Sequence, residues 1–460
     1  MADDIEHLIK KARAAQQKFY EAGSQARYDR AAQAVAWAIM EPNRNRELAE
    51  LAVRTTGLGN VPDKITKNHR KTLGLMRDIA EARTFGVIVD DTDTGITEYA
   101  RPLGVVGAIV PSTNPAATPA NNIINALKCG NAIIVAPSPK GVASCELLLG
   151  YIHAEFAKIG EDPDLVQMVP APGSKDKTQA LMELCDKVIC TGSQNNVQRA
   201  QTCGTPAVAV GAGNVTVIVD ETADLAAAAD KIKASKTFDN ATSCSSENAL
   251  VVVDAVWDAF AAEMARSGGA LVDDEPAIVA KLWPGGHLNR EVIARDAADM
   301  VAALNLDVPA GTEYIAVPTS GIGPDHPLSG EKLSRVLAIY RARDFDHALA
   351  LTDEIQRHMG AGHSVGLHSS DDTRAHILAQ RLPTSRIIVN QAHCFATGGA
   401  FNNGMPFSLS MGCGAWGGNV TNDNLNWRHF MQSTKIVREI PSREPSLDSV
   451  FTDYWALAGK

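Results

Sequence analysis

From residue 105 onward, short apolar runs alternate with segments of helical periodicity, and this alternation constrains the fold more than any other feature. The first two runs are VVGAIVP (105–111) and NAIIVAP (131–137), with the helical segment NNIINALKCG (121–130) between them. Short apolar runs of this kind are typical of strands buried on both faces, and their alternation with helices predicts a parallel sheet covered by helices. Further runs of the same kind lie at 165–172, 187–192 and 206–213.

The alternation restarts near residue 214 with VTVIVD, an alanine-rich helical segment and the apolar run ALVVVD, which predicts a second α/β domain. Helical periodicity also covers the first twenty residues and the segment 27–55. The segment FGVIVDDTDTGITEYARPL (85–103) places two β-rich runs around a turn sequence, which predicts a hairpin. Near the C-terminal end, TKIVREI (434–440) predicts a docking arm.

The composition excludes several classes of protein. Of 460 residues, 45% are hydrophobic and 21% are charged, which is typical of globular chains. The formal net charge is −10 and no block of lysine and arginine stands out, so neither nucleic acid nor an anionic membrane is an expected partner. No secretory signal and no apolar run of about 18 residues is present, so we expect a cytoplasmic protein. The eight cysteines include no C-x-x-C and no zinc spacing with histidine, so no metal site is expected.

Cys244 is the cysteine whose surroundings differ from those of a buried core thiol. It lies in KTFDNATSCSSENALVVV, between two serines and just before a strongly apolar strand. A thiol on a polar loop can be ionised and reached by a substrate, whereas a thiol inside an apolar strand cannot. This context alone does not separate a nucleophile from a structural cysteine.

Three other polar positions have both a functional and a structural interpretation. Asn114 follows a buried strand and precedes a helix, where its amide could donate to an oxyanion or simply cap the helix. The stretch CTGSQNNV (190–197) is a strand and turn that lead into a helix, which suits a nucleotide phosphate or an ordinary turn. Glu331 precedes a strand and alone predicts only solvated surface. No G-x-G-x-x-G follows a strand, so the usual dinucleotide motif is missing.

Together these segments resemble the aldehyde dehydrogenase superfamily over nearly the whole chain, and within it the CoA-acylating branch. The matching stretches are PSTNPAATPANN, NAIIVAPSPKG, VPAPGSKDKTQALM, CTGSQNNVQRA, PAVAVGAGNVTVIVD, KTFDNATSCSSENALVVVD, EKLSRVLAIYRA and LSMGCGAWGGN. The resemblance implies an α/β fold with an atypical Rossmann cofactor domain, an α/β catalytic domain and a β flap that mediates homodimer or homotetramer formation. The implied boundaries are 1–84 and 104–213 for the cofactor domain, 214–424 for the catalytic domain, and 85–103 and 425–460 for the flap.

The resemblance also assigns roles to individual residues. Cys244 matches the family nucleophile, which attacks the aldehyde carbonyl and forms a thiohemiacetal, and Asn114 matches the asparagine that stabilises its oxyanion. Glu331 matches the residue that binds the nicotinamide ribose. The turn expected beside the pyrophosphate and nicotinamide consists of Thr191, Gly192 and Ser193.

One departure from the hydrolytic members predicts the fate of the thioester. Those members carry a glutamate that activates water, and the matching position here is Gly211 in the stretch GAGN. Water needs a base to attack a thioester at neutral pH, whereas a thiol is already partly ionised and strongly nucleophilic. The missing glutamate therefore favours release by the thiol of coenzyme A. Glu247 is a possible substitute base, although its position also suits a structural role.

The choice of nicotinamide cofactor stays open at this stage. Hydrolytic members often place a lysine on the adenosine ribose just after the strand that matches NAIIV, and this chain has Ala136 there. Ser138 and Lys140 follow, and they could contact a 2′-phosphate, which would permit NADP as well as NAD. The alternative is an exposed loop with a solvated lysine.

The segments that line the substrate pocket in the family are rich in polar residues in this chain. A polar lining predicts a small aldehyde with a polar or anionic group, and NQAHCFATGGAFNNG and FTDYWALAGK resemble members that act on sulfoacetaldehyde. A sulfonate needs several directed donors, although the same residues could merely cap turns. Acetaldehyde, propionaldehyde or a semialdehyde is the alternative substrate. A hydrolytic dehydrogenase and a scaffold on an inactive enzyme fold are further alternatives. The predicted pocket residues are Asn121, Asn122, Ser243, Ser245, His393, Phe401, Asn402 and Asn403.

Overall fold

The computed structural model describes residues 2–460, and within this range the chain combines α-helices with three β-sheets. No helix in this range is both long enough and apolar enough to cross a membrane. The helices are α1 (Ala2–Glu21), α2 (Gln25–Met40), α3 (Pro42–Thr56), α4 (Val61–Ile79), α5 (Ala117–Lys128), α6 (Val142–Ile159), α7 (Lys175–Leu184), α8 (Gln194–Thr202), α9 (Leu225–Thr237), α10 (Trp257–Arg266), α11 (Glu275–Leu282), α12 (Ala297–Ala303), α13 (Phe345–His358), α14 (Asp372–Arg381), α15 (His393–Thr397) and α16 (Leu447–Ala458). The strands are β1 (Val87–Asp91), β2 (Ile96–Pro102), β3 (Val105–Val110), β4 (Ala132–Pro137), β5 (Val166–Met168), β6 (Lys187–Thr191), β7 (Ala207–Val210), β8 (Val215–Val219), β9 (Glu247–Val253), β10 (Gly269–Leu271), β11 (Tyr314–Pro318), β12 (Val336–Ala342), β13 (Val365–His368), β14 (Ile387–Val389) and β15 (Met431–Val437).

Two parallel sheets carry the fold, which confirms the predicted α/β class. The first sheet has the order β5-β4-β3-β6-β7, and the second has the order β10-β11-β12-β9-β8-β13-β14. All pairs in both sheets are parallel. Every residue of β3, β8 and β9 is buried, as expected for strands with helices on both faces.

The strands of each sheet fall within one predicted domain, but the packing of the later loops crosses the predicted boundary. One hydrophobic core surrounds the first sheet, and two further clusters cover the faces of the second. Phe407, which the prediction assigned to the catalytic domain, and Leu425, which it assigned to the flap, are both buried in the first core. The segment that contains them therefore connects the two sheets, and the division into domains stays a prediction.

The third sheet is a small antiparallel one. The predicted hairpin is confirmed, with β1 paired to β2 around the turn that starts at Asp91. β15 pairs with the other edge of β2, from Met431 opposite Pro102 to Val437 opposite Ile96. The C-terminal arm thus supplies the third strand, and α16 after it is exposed on almost every residue.

Two predicted elements are shorter than expected because of proline. The predicted helix over 27–55 is two helices, since Pro42 begins α3 and holds Glu41 in an extended conformation between them. The predicted strand over 165–172 is limited to β5. Pro170 and Pro172 follow it and cannot donate to a ladder, which explains its early end.

Candidate active site

One cavity of about 770 Å³ lies where the first sheet faces the start of β9. Loops that follow β3, β4, β6 and β7 line it, because parallel strands end at the same edge of a sheet. The structure therefore gathers residues that lie far apart in the chain. Among the positions singled out in the sequence, those that line the cavity are Asn114, Ser138, Thr191, Gly192, Ser193, Gly211, Ser243, Cys244, Ser245 and Glu331.

The backbone just before Cys244 is strained. Asp239, Asn240 and Ala241 have φ values of 48°, 55° and 60°, so three successive residues with side chains adopt the left-handed conformation. Each such residue costs about 1–2 kcal/mol. A conformation of this kind persists only where the surrounding contacts impose it, so the contacts of this turn decide where Cys244 lies.

Those contacts centre on the buried carboxylate of Asp239. Its Oδ2 accepts hydrogen bonds from Lys64 Nζ at 3.1 Å, from Lys67 Nζ and from Thr242 Oγ1 at 2.8 Å. Both lysines belong to α4, which begins at the N-cap Asn60. Burial alone would raise the pKa of Asp239, but the positive charges of the two lysines outweigh it and hold this pKa below its usual value. The turn before Cys244 is thus tied to α4 by a buried ion-pair network.

The same network orients Asn114. Lys67 Nζ donates to Asn114 Oδ1 at 2.9 Å, and an ammonium group has no acceptor, so the atom that faces it must be the amide oxygen. The amide nitrogen therefore points away from Lys67, and its nearest hydrogen-bond partner is Thr113 Oγ1 at a long 3.5 Å. The alternative role as a helix cap is wrong, because the N-cap of α5 is Ala116 and no side chain caps it. Asn114 Nδ2 is free to donate to an oxyanion.

The Cys244 thiol is not ready to ionise, contrary to the expectation from its polar loop. Burial raises the pKa of Cys244 to about 12, and the carboxyl group of Glu331 adds to the shift. Burial also raises the pKa of Glu331 to about 7. The Gly213 N–H donates to Glu331 Oε1 at 3.4 Å, and this long hydrogen bond stabilises the ionised carboxylate only weakly. The ionisation of both groups therefore depends on what is bound beside them.

Packing at the GAGN stretch explains the glycine at position 211. A Cβ atom at Gly211 would lie 2.6 Å from Gln194 Nε2, so the amide of Gln194 takes up the space in which a side chain would begin. Glu247 does not provide a base in its place, since it is buried at the start of β9 and does not line the cavity. In the part of the chain that the structure describes, the cavity has Glu331 as its one carboxylate.

The predicted cofactor residues divide into two groups. Thr191, Gly192 and Ser193 line the cavity at the start of α8, where Ser193 is the N-cap. Ser138 lines it too, and its buried hydroxyl has no hydrogen-bond partner among the described residues. Lys140 does not line the cavity, because it is exposed and its Nζ reaches the carbonyl of Thr56 at 3.5 Å.

Most of the predicted substrate-pocket residues lie elsewhere, which corrects the prediction. Asn121 and Asn122 are buried inside the structure, since α5 packs on all sides. His393 is buried and bonded to Ser364. Phe401 and Asn402 are exposed, and the Phe401 ring contacts the Phe407 ring at a tilt of 46°. Asn403 turns the loop through its hydrogen bonds instead of facing the cavity.

Comparison with known proteins agrees with this arrangement. The profile of the aldehyde dehydrogenase family matches residues 1–276. A sulfoacetaldehyde dehydrogenase (acylating) from Cupriavidus necator is 54% identical over 463 residues, which cover 100% of this chain and 94% of that protein. The chain belongs to the aldehyde dehydrogenase family.

Two solved structures extend the comparison to the whole fold. An acetylating aldehyde dehydrogenase from Geobacillus thermoglucosidasius superposes with a TM-score of 0.92 at 30% identity, covering 97% of this chain and 98% of that one. A propionaldehyde dehydrogenase from Rhodopseudomonas palustris, with bound CoA and an acylated cysteine, gives a TM-score of 0.83 at 25% identity, with 94% and 97% covered. This dehydrogenase therefore shares the fold of acylating members over nearly its full length.

The structure also brings five cationic residues to the cavity that the sequence analysis did not single out, of which Lys175 belongs to α7 and Arg199 to α8. Lys67, Arg70 and Lys71 of α4 all line it. Their spacing of three and four residues places them on one helical face, and this was the available signal. The signal is weak in a sequence, because such a face is usually solvated.

His363 is a second residue that the sequence analysis missed. A Cβ atom at Gly213 would lie 2.3 Å from the carbonyl oxygen of Cys244 and 3.0 Å from His363 Nε2. Gly213 therefore packs between the Cys244 loop and the imidazole of His363. His363 Nε2 has no partner among the described residues, and Nδ1 contacts Ser364 Oγ at 2.8 Å. Burial, with Arg386 nearby, lowers the pKa of His363 to about 3, so this imidazole is neutral.

The Asp239 network yields a stability prediction. Asp239→Asn removes the carboxylate and leaves Lys64 and Lys67 buried without an anion, so the free energy of unfolding should fall by about 3–5 kcal/mol. Urea unfolding at pH 7 measures this change. The exposed Asp325→Asn is the matched control and should change the value by less than about 0.5 kcal/mol. Equal stability of the two variants would contradict the importance of this network.

The raised pKa of Glu331 yields a prediction about pH. An acid with a folded pKa of about 7 and an ordinary value of 4.5 stabilises the fold below pH 4.5 and loses that contribution as the pH rises to 7. Glu331→Gln cannot ionise, so at pH 8 its free energy of unfolding, measured with urea, should exceed that of the wild type by about 2 kcal/mol. The difference should be much smaller at pH 5. Exposed Glu354→Gln is the control. A difference that is the same at both pH values would contradict the prediction.

Proposed function

We propose that this protein catalyses the CoA-acylating oxidation of sulfoacetaldehyde to sulfoacetyl-CoA with a nicotinamide cofactor. The observation that carries the proposal is a cavity in which Cys244 and Asn114 meet while position 211 offers no carboxylate. The full-length similarity to an acylating sulfoacetaldehyde dehydrogenase supports both the reaction and the substrate. Acetaldehyde, propionaldehyde or a semialdehyde is the alternative substrate.

The reaction begins with a bond between Cys244 Sγ and the aldehyde carbon. The carbonyl oxygen becomes an oxyanion, and Asn114 Nδ2 with the backbone N–H of Cys244 donates hydrogen bonds to it. The thiol must lose its proton as the bond forms, and Glu331, with a pKa of about 7, is matched to accept a proton at neutral pH. The chain therefore supplies a nucleophile, an oxyanion site and a proton acceptor in one cavity.

The chain offers a fitting site for NAD or NADP. The start of α8 with Thr191, Gly192 and Ser193 suits the pyrophosphate, and the unpaired Ser138 hydroxyl suits the adenosine ribose. Glu331 is proposed to bind the nicotinamide ribose hydroxyls. When bound, the cofactor accepts the hydride of the thiohemiacetal carbon, which leaves a thioester on Cys244. Lys140 is exposed and held by a single 3.5 Å contact with Thr56, so the proposal covers both NAD and NADP.

Release of the thioester then requires a nucleophile that does not need a strong base. The thiol of coenzyme A attacks the thioester carbon, and the Cys244 sulfur leaves as the carbon–sulfur bond to CoA forms. The sulfur of Cys244 takes up the proton that the CoA thiol gives up, because the raised pKa of Cys244 favours its protonated form. Water would need a base to attack, and Gly211 supplies none.

We also propose that the chain forms a homodimer or a homotetramer. β1 and β15 are the edges of the third sheet, and open edges tend to be covered. The C-terminal helix α16 adds an exposed apolar surface, which a second copy of the chain would cover. Its large exposed apolar residues are Leu447, Val450, Phe451, Tyr454 and Leu457.

The test of the reaction is formation of NADH or NADPH from sulfoacetaldehyde, with and without CoA, together with mass spectrometry of the product. We expect strict dependence on CoA, and a fall in turnover of at least about 10⁴-fold for Cys244→Ala. Cys203→Ala, which removes the other partly exposed thiol, is the control and should retain turnover. Equal rates without CoA would overturn the acylating mechanism, and turnover of other aldehydes alone would overturn the substrate.

The absence of a carboxylate at position 211 can be tested by restoring one. Gly211→Glu combined with Gln194→Ala removes the amide that occupies this space and supplies a base for water. We expect free acid to form without CoA at a rate about tenfold above the wild type, measured as NADH formation and as acid by mass spectrometry. Gly211→Gln with Gln194→Ala matches the shape without the base and should stay dependent on CoA. Equal acid formation by both double variants would refute the explanation.

A further inference from the structure

Three cations of α4 face the cavity beside the predicted oxyanion donor. Lys67, Arg70 and Lys71, which we call the α4 cation cluster, all line the cavity together with Cys244. Lys67 contacts Asn114 directly, so the cluster adjoins the place where the aldehyde carbonyl must lie. A group that binds there shares the cavity with the thiol that would attack the aldehyde carbon.

The charge of the cluster is not balanced by the protein. Lys71 is 7% exposed and donates only to the carbonyl oxygens of Gly398 and Ser408. Arg70 donates only to the carbonyl oxygens of Phe395 and Gly399. Within the described residues, neither cation has a carboxylate within 4 Å, and buried cations are usually paired. The imbalance favours an anionic ligand.

The third cation is also short of negative charge. Lys67 shares the single carboxylate of Asp239 with Lys64, so two buried ammonium groups face one anion. Burial lowers the pKa of Lys71 to about 7, and the like charges of Arg70 and Lys67 add to this shift. An anion placed against the cluster would relieve this repulsion.

Donor capacity distinguishes the roles of the three cations. All three protons of the Lys67 ammonium are used, by Asn114, Asp239 and Thr242, so this residue can contribute charge but no further hydrogen bond. Arg70 uses only Nη2 in hydrogen bonds to the described residues, so Nε–H and Nη1–H remain. Lys71 uses two of its three protons.

Aromatic rings hold the guanidinium group in place. Arg70 lies over the rings of Phe395 at 4.9 Å and Phe407 at 5.5 Å, distances at which a cation is attracted to an aromatic face. Lys67 lies 5.5 Å from the ring centre of Phe238, which also lines the cavity. The remaining donors are therefore presented from a preorganised, poorly hydrated wall, where charge-assisted hydrogen bonds are strong.

We propose that Arg70 and Lys71 bind the sulfonate of the aldehyde substrate, with Lys67 contributing charge behind them, and that this contact selects an anionic aldehyde over a neutral one. The inference rests on the proposed function, because it names the group of that substrate which the cavity recognises. In sulfoacetaldehyde one methylene group separates the sulfonate from the aldehyde. This short separation suits a cation cluster that lies beside the predicted oxyanion donor Asn114. Its three oxygens match the remaining donors of Arg70 and Lys71.

The experiment compares kcat/KM for sulfoacetaldehyde and propionaldehyde in Arg70→Gln and in the wild type, with CoA saturating. We expect the ratio of the two values to fall about 100-fold, mostly through KM for sulfoacetaldehyde, as for lost charge-assisted hydrogen bonds. Arg77→Gln is the matched control. Arg77 belongs to the same helix and also lies over Phe407, but it does not line the cavity, so the ratio should not change. Arg70→Lys should recover part of the ratio.

A binding measurement keeps the inference testable without turnover. Ethanesulfonate cannot react, and isothermal titration should detect its binding to the wild-type protein and to Arg77→Gln, but not to Arg70→Gln. Lys71→Met keeps the length of the side chain without its charge and should weaken ethanesulfonate binding in the same way. Circular dichroism checks that each variant is folded.

The outcomes separate the inference from the proposed function. If the wild type oxidises sulfoacetaldehyde and Arg70→Gln leaves the ratio unchanged, the inference is overturned and the function stands. If the wild type does not oxidise sulfoacetaldehyde, the function is overturned, whatever ethanesulfonate does. If Arg70→Gln raises KM for CoA instead, the cluster binds a phosphate of CoA. If Arg70→Gln lowers kcat/KM only for succinate semialdehyde, the cluster binds a carboxylate. Either of the last two results overturns the sulfonate assignment.

Discussion

The buried contact between Asp239 and the two lysines of α4 is the interaction on which the rest of the site depends. It holds three successive residues in a left-handed conformation that their side chains disfavour, and Cys244 follows three residues after the last of them. The same Lys67 fixes the orientation of the Asn114 amide. One ion-pair network thus places both the predicted nucleophile and the predicted oxyanion donor, although they come from different sheets. The N-terminal helical layer is therefore part of the site as well as its cover.

Burial shifts the pKa of three titratable groups that line the cavity. It raises the pKa of Cys244 to about 12 and of Glu331 to about 7, and it lowers the pKa of Lys71 to about 7. Glu331 and Lys71 are therefore close to a change in protonation at neutral pH that a nearby ligand charge can bring about, whereas Cys244 stays protonated until it reacts. A site built in this way responds to the arrival of charged ligands, which suits a reaction with an anionic aldehyde and a nicotinamide ring.

Release of the acyl group is controlled by a side chain that the protein lacks. Gly211 and Gln194 together fill the place from which a carboxylate would activate water. Because the thiol of CoA needs less help than water, the same thioester can pass to CoA in this site while hydrolysis stays slow. In our proposal the α4 cation cluster binds the other end of the substrate, so that selection of the aldehyde and selection of the acyl acceptor are structurally separate.

The sequence by itself determined the two parallel sheets and the hairpin, because these depend on local patterns of apolar runs and turns. It indicated Cys244, Asn114 and Gly211 through the resemblance to the aldehyde dehydrogenase superfamily, since their local context left a structural role equally open. Only the tertiary structure decided which side chains line the cavity. Asn121 and Asn122 are polar, yet α5 is buried on all sides, and Lys67, Arg70 and Lys71 look like a solvated face until α4 is packed against the Cys244 loop. The direction in which a helix faces depends on its neighbours, and those neighbours come from distant parts of the chain.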